Sequence, residues 1–91
     1  MTKVLIKVNV AYPGLFQKVF NSQASTRQRG GERSCTFGTD DSNPNHIYAI
    51  LDWVSVQSAQ SFWKAPVAKT LIGAWHSAGA PRITILRKSA E

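Results

Sequence analysis

Residues Lys3 to Val10 alternate, with Val4, Ile6, Val8 and Val10 on one side and Lys3, Leu5, Lys7 and Asn9 on the other. Period-two alternation of β-branched residues predicts a half-buried strand. Ala11-Tyr12-Pro13-Gly14 ends it, because proline and glycine together punctuate a chain. The spacing then changes. Leu15, Phe16, Val19, Phe20 and Ala24 recur at helical intervals and predict a helix from Pro13 or Gly14 to about Gln28. Gly30-Gly31 closes that helix, since glycine accepts the left-handed conformation found at helix ends.

Alternation resumes from Arg33 to Thr39, with Cys35 and Phe37 facing one way and Ser34 and Thr36 the other. Asp40 to Asn45 is all turn-forming residues and predicts a hairpin with a long loop. The next strand, His46 to Val54, is apolar on both faces: Ile47, Ala49, Leu51 and Trp53 against Tyr48, Ile50 and Val54. Strands covered on both sides read this way. Ser55 is suited to cap a helix whose stripe is Val56, Ala59, Phe62 and Trp63. Pro66 predicts a break near Ala65 and a second short helix to about Ala78, lined by Val67, Leu71, Ile72 and Trp75 and capped by Gly79. Arg82 to Arg87 is the last strand, Ile83 and Ile85 against Thr84 and Leu86.

The order β-α-β-β-α-β over residues 1–91 is an α+β, ferredoxin-like arrangement of one domain with a four-stranded antiparallel sheet. Right-handed crossovers are expected to put strands one and three side by side in its middle, and parallel to each other. Helices cover one sheet face. The other face can carry Leu5, Tyr48, Ile50 and Leu86, too apolar for water, which predicts a homodimer joined through that open face.

Composition narrows the classes. Ninety-one residues leave too little apolar material for two cores. Cys35 is the single cysteine, so no disulfide framework exists. The three-residue apolar run before Lys7 is neither a signal peptide nor a membrane span, and the expectation is a cytoplasmic protein with no membrane partner. Eleven Lys and Arg against five Asp and Glu give a net charge of +6, which raises nucleic acid as a partner. The charges are dispersed, however. The first strand has no aromatic residue on which a base could stack, so no nucleic acid is expected.

Candidate chemistry is sparse. Cys35, His46 and His76 have no metal-ligand spacing, and no phosphate loop or nucleophile elbow is present. His76 is the group in the helical region best suited to acid–base work; the plain alternative is a helix-end histidine favoured by the dipole. Trp63 and Trp75 can line an aromatic ligand cleft or simply fill the core. Tyr48 can donate to a ligand or serve the dimer. Asn9 can bind a substrate or merely end its strand. Asp52 is placed to pair with Lys7.

The runs Gly38-Thr-Asp-Asp-Ser-Asn-Pro-Asn45, Ile50-Leu-Asp-Trp53, Ala59-Gln-Ser-Phe62, Pro66-Val-Ala-Lys69 and Gly79-Ala-Pro81 resemble the dimeric α/β-barrel superfamily. The resemblance is to its antibiotic-biosynthesis-monooxygenase-like branch, which includes many small uncharacterised bacterial members. It implies a dimeric α/β barrel and a cleft between helices and sheet. Some relatives are cofactor-free oxygenases of polycyclic aromatics and others degrade haem. Haem-degrading members carry an Asn on the first strand and a Trp and a His on the second helical region. Here Asn9 falls about two residues late, Phe62 stands at the Trp position with Trp63 beside it, and Ile72 stands at the His position with His76 a turn later. That triad is not intact, and no cofactor is expected. The resemblance implies a small aromatic ligand; the candidates to bind it are Asn9, Tyr48, Phe62, Trp63 and Trp75, and His76 is the candidate catalytic base. The alternative is a non-catalytic ligand-binding or regulatory homodimer.

Overall fold

A computed structural model of the chain describes residues 2–87. Its elements are β1 (Thr2–Asn9), α1 (Pro13–Ser22), α2 (Ala24–Gly30), β2 (Glu32–Asp40), β3 (Asn43–Trp53), α3 (Val56–Lys64), α4 (Pro66–Gly73) and β4 (Arg82–Leu86). The strands form one antiparallel sheet in the order β2-β3-β1-β4, as the ferredoxin-like reading requires. β1 and β3 are central neighbours as expected, but they run antiparallel rather than parallel. Two helical crossovers each return the chain parallel to the strand before, and the hairpin reverses it once. β3 must therefore oppose β1.

Alternation in β1 places Val4, Ile6 and Val8 in the core, with Val10 just beyond the strand end also buried. β3 contributes Ile47, Ala49, Leu51 and Trp53 to the same side. Val54 lies past the strand and is exposed. The hairpin is tighter than the turn-rich sequence suggests: Asp40 already pairs with Asn43, leaving Asp41 and Ser42 as the turn. The Asp40 carboxylate accepts from the Ser42 backbone N–H at 2.8 Å and from its hydroxyl at 2.7 Å, which closes the bend locally.

The first helical region is two helices joined at Gln23, with Phe16 and Phe20 as its buried anchors. Leu15 is half exposed and leaves the stripe. Arg27, which the sequence pattern places among polar neighbours, is buried. Its Nε donates to Glu32 Oε1 at 2.7 Å, its Nη1 donates to the Phe20 carbonyl at 2.6 Å, and its guanidinium lies 3.7 Å from the Phe20 ring centre. This ion pair ties α2 to the start of β2. Gly31 follows at φ 125°, and a Cβ there would collide with Ser58, Trp53 and Val54. A Cβ on Gly30 would overlap the Phe62 ring.

Ser55 caps α3 as expected, its hydroxyl accepting from the Ser58 backbone N–H at 3.1 Å. The break at Ala65 and the restart at Pro66 also hold. α4 stops at Gly73 rather than Ala78, so Gly79 does not cap it. Ala68 and Leu71 are its buried residues, and Val67 faces outward. The chain beyond turns back on the sheet, where Ser77 bridges Val10 and the Ala78 N–H donates to the Asn9 carbonyl at 2.7 Å.

Candidate functional site

The helix-covered side of the sheet is filled by rings. Phe16, Phe20, Phe37 and Trp75 pack together with centroid separations of 5.0 to 6.4 Å. Trp53, Phe62 and Trp63 form a second group at 5.0 to 5.8 Å. Trp63 and Trp75, 6.5 Å apart, join the two. Edge-on and tilted contacts suit the ring quadrupoles.

Indole N–H groups need acceptors when buried. Trp53 Nε1 donates to the Gly30 carbonyl at 3.1 Å and to Ser58 Oγ at 3.2 Å. Trp75 Nε1 donates to Gln23 Oε1 at 2.9 Å, and Gln23 Nε2 donates onward to the Leu71 carbonyl at 3.2 Å. Trp63 Nε1 is buried and has no acceptor among the described residues. An unmade bond of this kind costs about 1–3 kcal/mol. Nothing in the sequence distinguishes Trp63 from the other two in this respect, because the acceptors come from distant backbone.

His76 is not on a helix. It follows Trp75 in the turn after α4, is exposed, and has φ 51°, the one non-glycine residue in the left-handed region among those described. With Trp75 it borders a narrow cleft whose other wall is Tyr12, Leu15, Phe16 and Val19 of the α1 region; the cleft holds about 20 Å³. That is room for roughly one water.

The remaining sequence candidates lie elsewhere. Phe62, Trp63 and Trp75 share the helix side, whereas Asn9 and Tyr48 sit on the open sheet face. There Asn9 is opposite His46, and Lys7 lies over the Tyr48 ring at 5.7 Å. Asp52 does not pair with Lys7. Its carboxylate takes the Lys3 ammonium and the Ser34 hydroxyl, because Lys3 is its register partner. Those two hydrogen bonds, Lys3 first, hold its carboxyl below the usual carboxylate range. Cys35 is half-buried on the core side, and burial pushes its thiol up to about 11. No group of three or more His, Cys, Asp or Glu side chains is gathered for a metal among the described residues.

A four-stranded antiparallel sheet backed by helices is the fold this chain shares with antibiotic-biosynthesis-monooxygenase-like structures. Solved structures align over nearly the whole chain. One is an antibiotic biosynthesis monooxygenase, 14% identical, with a TM-score of 0.73 over 99% of this chain and 100% of that one. Another, from Bordetella bronchiseptica and provisionally named for the same activity, is 13% identical with a TM-score of 0.81 over 98% and 97%. SnoaB of Streptomyces nogalater, a cofactor-independent oxygenase, is 17% identical with a TM-score of 0.74 over 99% and 93%. This chain has their fold. No family model matches the sequence, and no curated protein does either. No helix among the described residues is long and apolar enough to cross a membrane.

Proposed function

We propose that this protein is a homodimeric, monooxygenase-like enzyme that oxidises a small polycyclic aromatic molecule on the helix side of its sheet without a cofactor. The observation that carries the reading is the buried, unpartnered indole N–H of Trp63 within a wall of aromatic rings. A donor left without an acceptor in such surroundings suits a ligand that is flat, apolar and oxygen-bearing. The fold shared with a cofactor-independent oxygenase supports the same class.

In this reading the ligand enters between the α1 region and the turn that carries Trp75 and His76. The cleft there is far smaller than the roughly 300 Å³ or more that ligand pockets occupy, so α1 must draw away on binding. Trp63 donates to a ring oxygen of the substrate. That bond strengthens as the oxygen becomes an enolate, which favours the anion over the neutral ligand. His76 removes a proton from an activated methylene. The carbanion reacts with dioxygen to give a peroxide, which breaks down to a ketone and water. One oxygen atom stays on carbon, the other leaves with both methylene hydrogens, and the four electrons taken from carbon reduce dioxygen.

The test is dioxygen uptake and ketone formation with an anthrone as substrate. Turnover by the native protein is expected, with Trp63→Phe reducing kcat/KM by about tenfold or more and His76→Ala abolishing it. Unchanged turnover in either variant removes that residue from the mechanism. An anthrone that raises the melting temperature with no dioxygen uptake favours the non-catalytic binding dimer instead.

A further inference from the structure

On the open sheet face, at the end where β1 leaves and β4 enters, Lys7 of β1 stands directly opposite Arg82 of β4. Like charges in register across adjacent strands destabilise a sheet. Neither side chain has a carboxylate within ion-pair distance among the described residues. Beside them, Asn9 pairs in register with His46. Lys7, Asn9, His46 and Arg82, with Ala78 and Ala80 of the chain leading to β4, border a concavity of about 250 Å³.

Asp40 is an acid on which Lys7 and His46 act, but its carboxyl is held below its usual range chiefly by the Ser42 hydroxyl and backbone, and only lastly by those two. It serves the hairpin turn. Asp52, the other acid on this face, is taken by Lys3 and Ser34 four residues along the strands. Two cations therefore line one concavity, Lys7 over the Tyr48 ring at 5.7 Å, and neither has an ion-pair partner among the described residues.

We propose that this concavity binds the oxyanion group of a small molecule, a carboxylate or a phosphate, between Lys7 and Arg82. A guanidinium presents paired N–H donors that match either group, while the ammonium adds a point charge. The Asn9 amide and the His46 ring supply further polar contacts at the rim. Ala78 and Ala80, both small, leave the approach open. The bound anion turns a repulsive cross-strand pair into a bridge between β1 and β4. The four polar side chains belong to one chain and lie across the sheet from the aromatic wall, so failure here leaves the Trp63 and His76 tests standing; the concavity sits at the margin of the same open face that the dimer reading uses.

Amide and guanidinium NMR shifts of the native protein, titrated with inorganic phosphate and separately with benzoate at constant ionic strength set by chloride, test the assignment. Saturable shifts centred on Lys7, Asn9, His46 and Arg82 are expected. Whichever probe binds more tightly identifies the source of the oxyanion. Lys7→Gln and Arg82→Gln should each weaken binding by about tenfold or more, while Arg82→Lys retains part of it. Both positions are exposed, and unchanged amide dispersion elsewhere verifies that the variants remain folded. The proposal is overturned by equal shifts with chloride alone, or by variants that bind as well as the native chain. Loss of self-association in both variants with no oxyanion binding by the native protein also overturns it, and assigns the two cations to a second copy of the chain.

Discussion

Three tryptophans share one aromatic wall, yet their indole N–H groups meet different fates. Trp53 is fully buried and bonded twice, Trp75 is bonded once, and Trp63 has no acceptor among the described residues. Trp53→Phe loses volume and strands the Gly30 carbonyl in part, whereas Trp63→Phe loses volume but also an unsatisfied donor. Urea unfolding should therefore find Trp53→Phe at least ~1 kcal/mol more damaging, an effect that its fuller burial reinforces. Equal losses would mean that Trp63 has a partner after all. Cys35 makes a second prediction. Burial, and after it the Glu32 charge, raise its thiol from 9.0 to about 11, with Arg27 opposing. The native thiol holds its proton at pH values where the unfolded thiol has lost it. Stability from this group is fully present below about pH 9 and is lost as pH rises towards 11. The melting temperature of the native protein should therefore fall more steeply over that window than that of Cys35→Ala. Arg27 marks the limit of reading single residues from sequence. It sits among Thr26, Gln28 and Arg29 and reads as solvated, and only the return of β2 brings Glu32 beneath it.

Elements follow from patterning wherever period and punctuation agree. β1, the paired helices broken at Pro66 and the Ser55 cap were all legible, because alternation, proline and a capping hydroxyl each act locally. The misreadings have a different origin. The hairpin closes in two residues because Asn43 pairs with Asp40, while an irregularity between Thr39 and Asp40 leaves Pro44 and Asn45, whose own preferences favour a loop, without a partner on β2. α4 ends early because Ser77 and Ala78 are captured by β1, leaving His76 in a left-handed turn. Site residues were legible as residue types but not as a group, since β-sheet alternation sends Asn9 and Tyr48 to the face opposite Trp63. The joint between α2 and β2 depends on the buried Arg27–Glu32 pair, with side chains 2% and 4% exposed. Glu32→Gln leaves the guanidinium charge buried without its counter-charge and should cost on the order of 3 kcal/mol in chemical unfolding. Arg27→Met combined with Glu32→Leu, which removes both charges, should cost clearly less. If the double variant is the more damaged of the two, packing rather than charge holds this joint.

At the scale of the whole molecule the two sheet faces are unequal. Helices seal one face with aromatic rings. The other carries a central row in which Leu5 lies opposite Ile50 and Thr84, with Ile50 43% exposed and Leu86 44% exposed. Around that row stand the Lys3–Asp52 pair and Lys7 over Tyr48. Such a face, apolar at its centre and charged at its margins, supports the homodimer proposed above. In a dimer paired face to face, a two-fold axis through this centre would bring Ile50 of one copy close to its own counterpart. Ile50→Glu then places two carboxylates together in a dehydrated seam, and association should weaken by roughly a hundredfold or more. Sedimentation equilibrium should give the native protein twice its chain mass of 10.0 kDa and the variant a single chain. The circular dichroism of the two should match, because Ile50 faces away from the core. A native protein that sediments as one chain at its highest soluble concentration would leave this face without the partner we assign it. A variant that still pairs would move the interface elsewhere on the molecule.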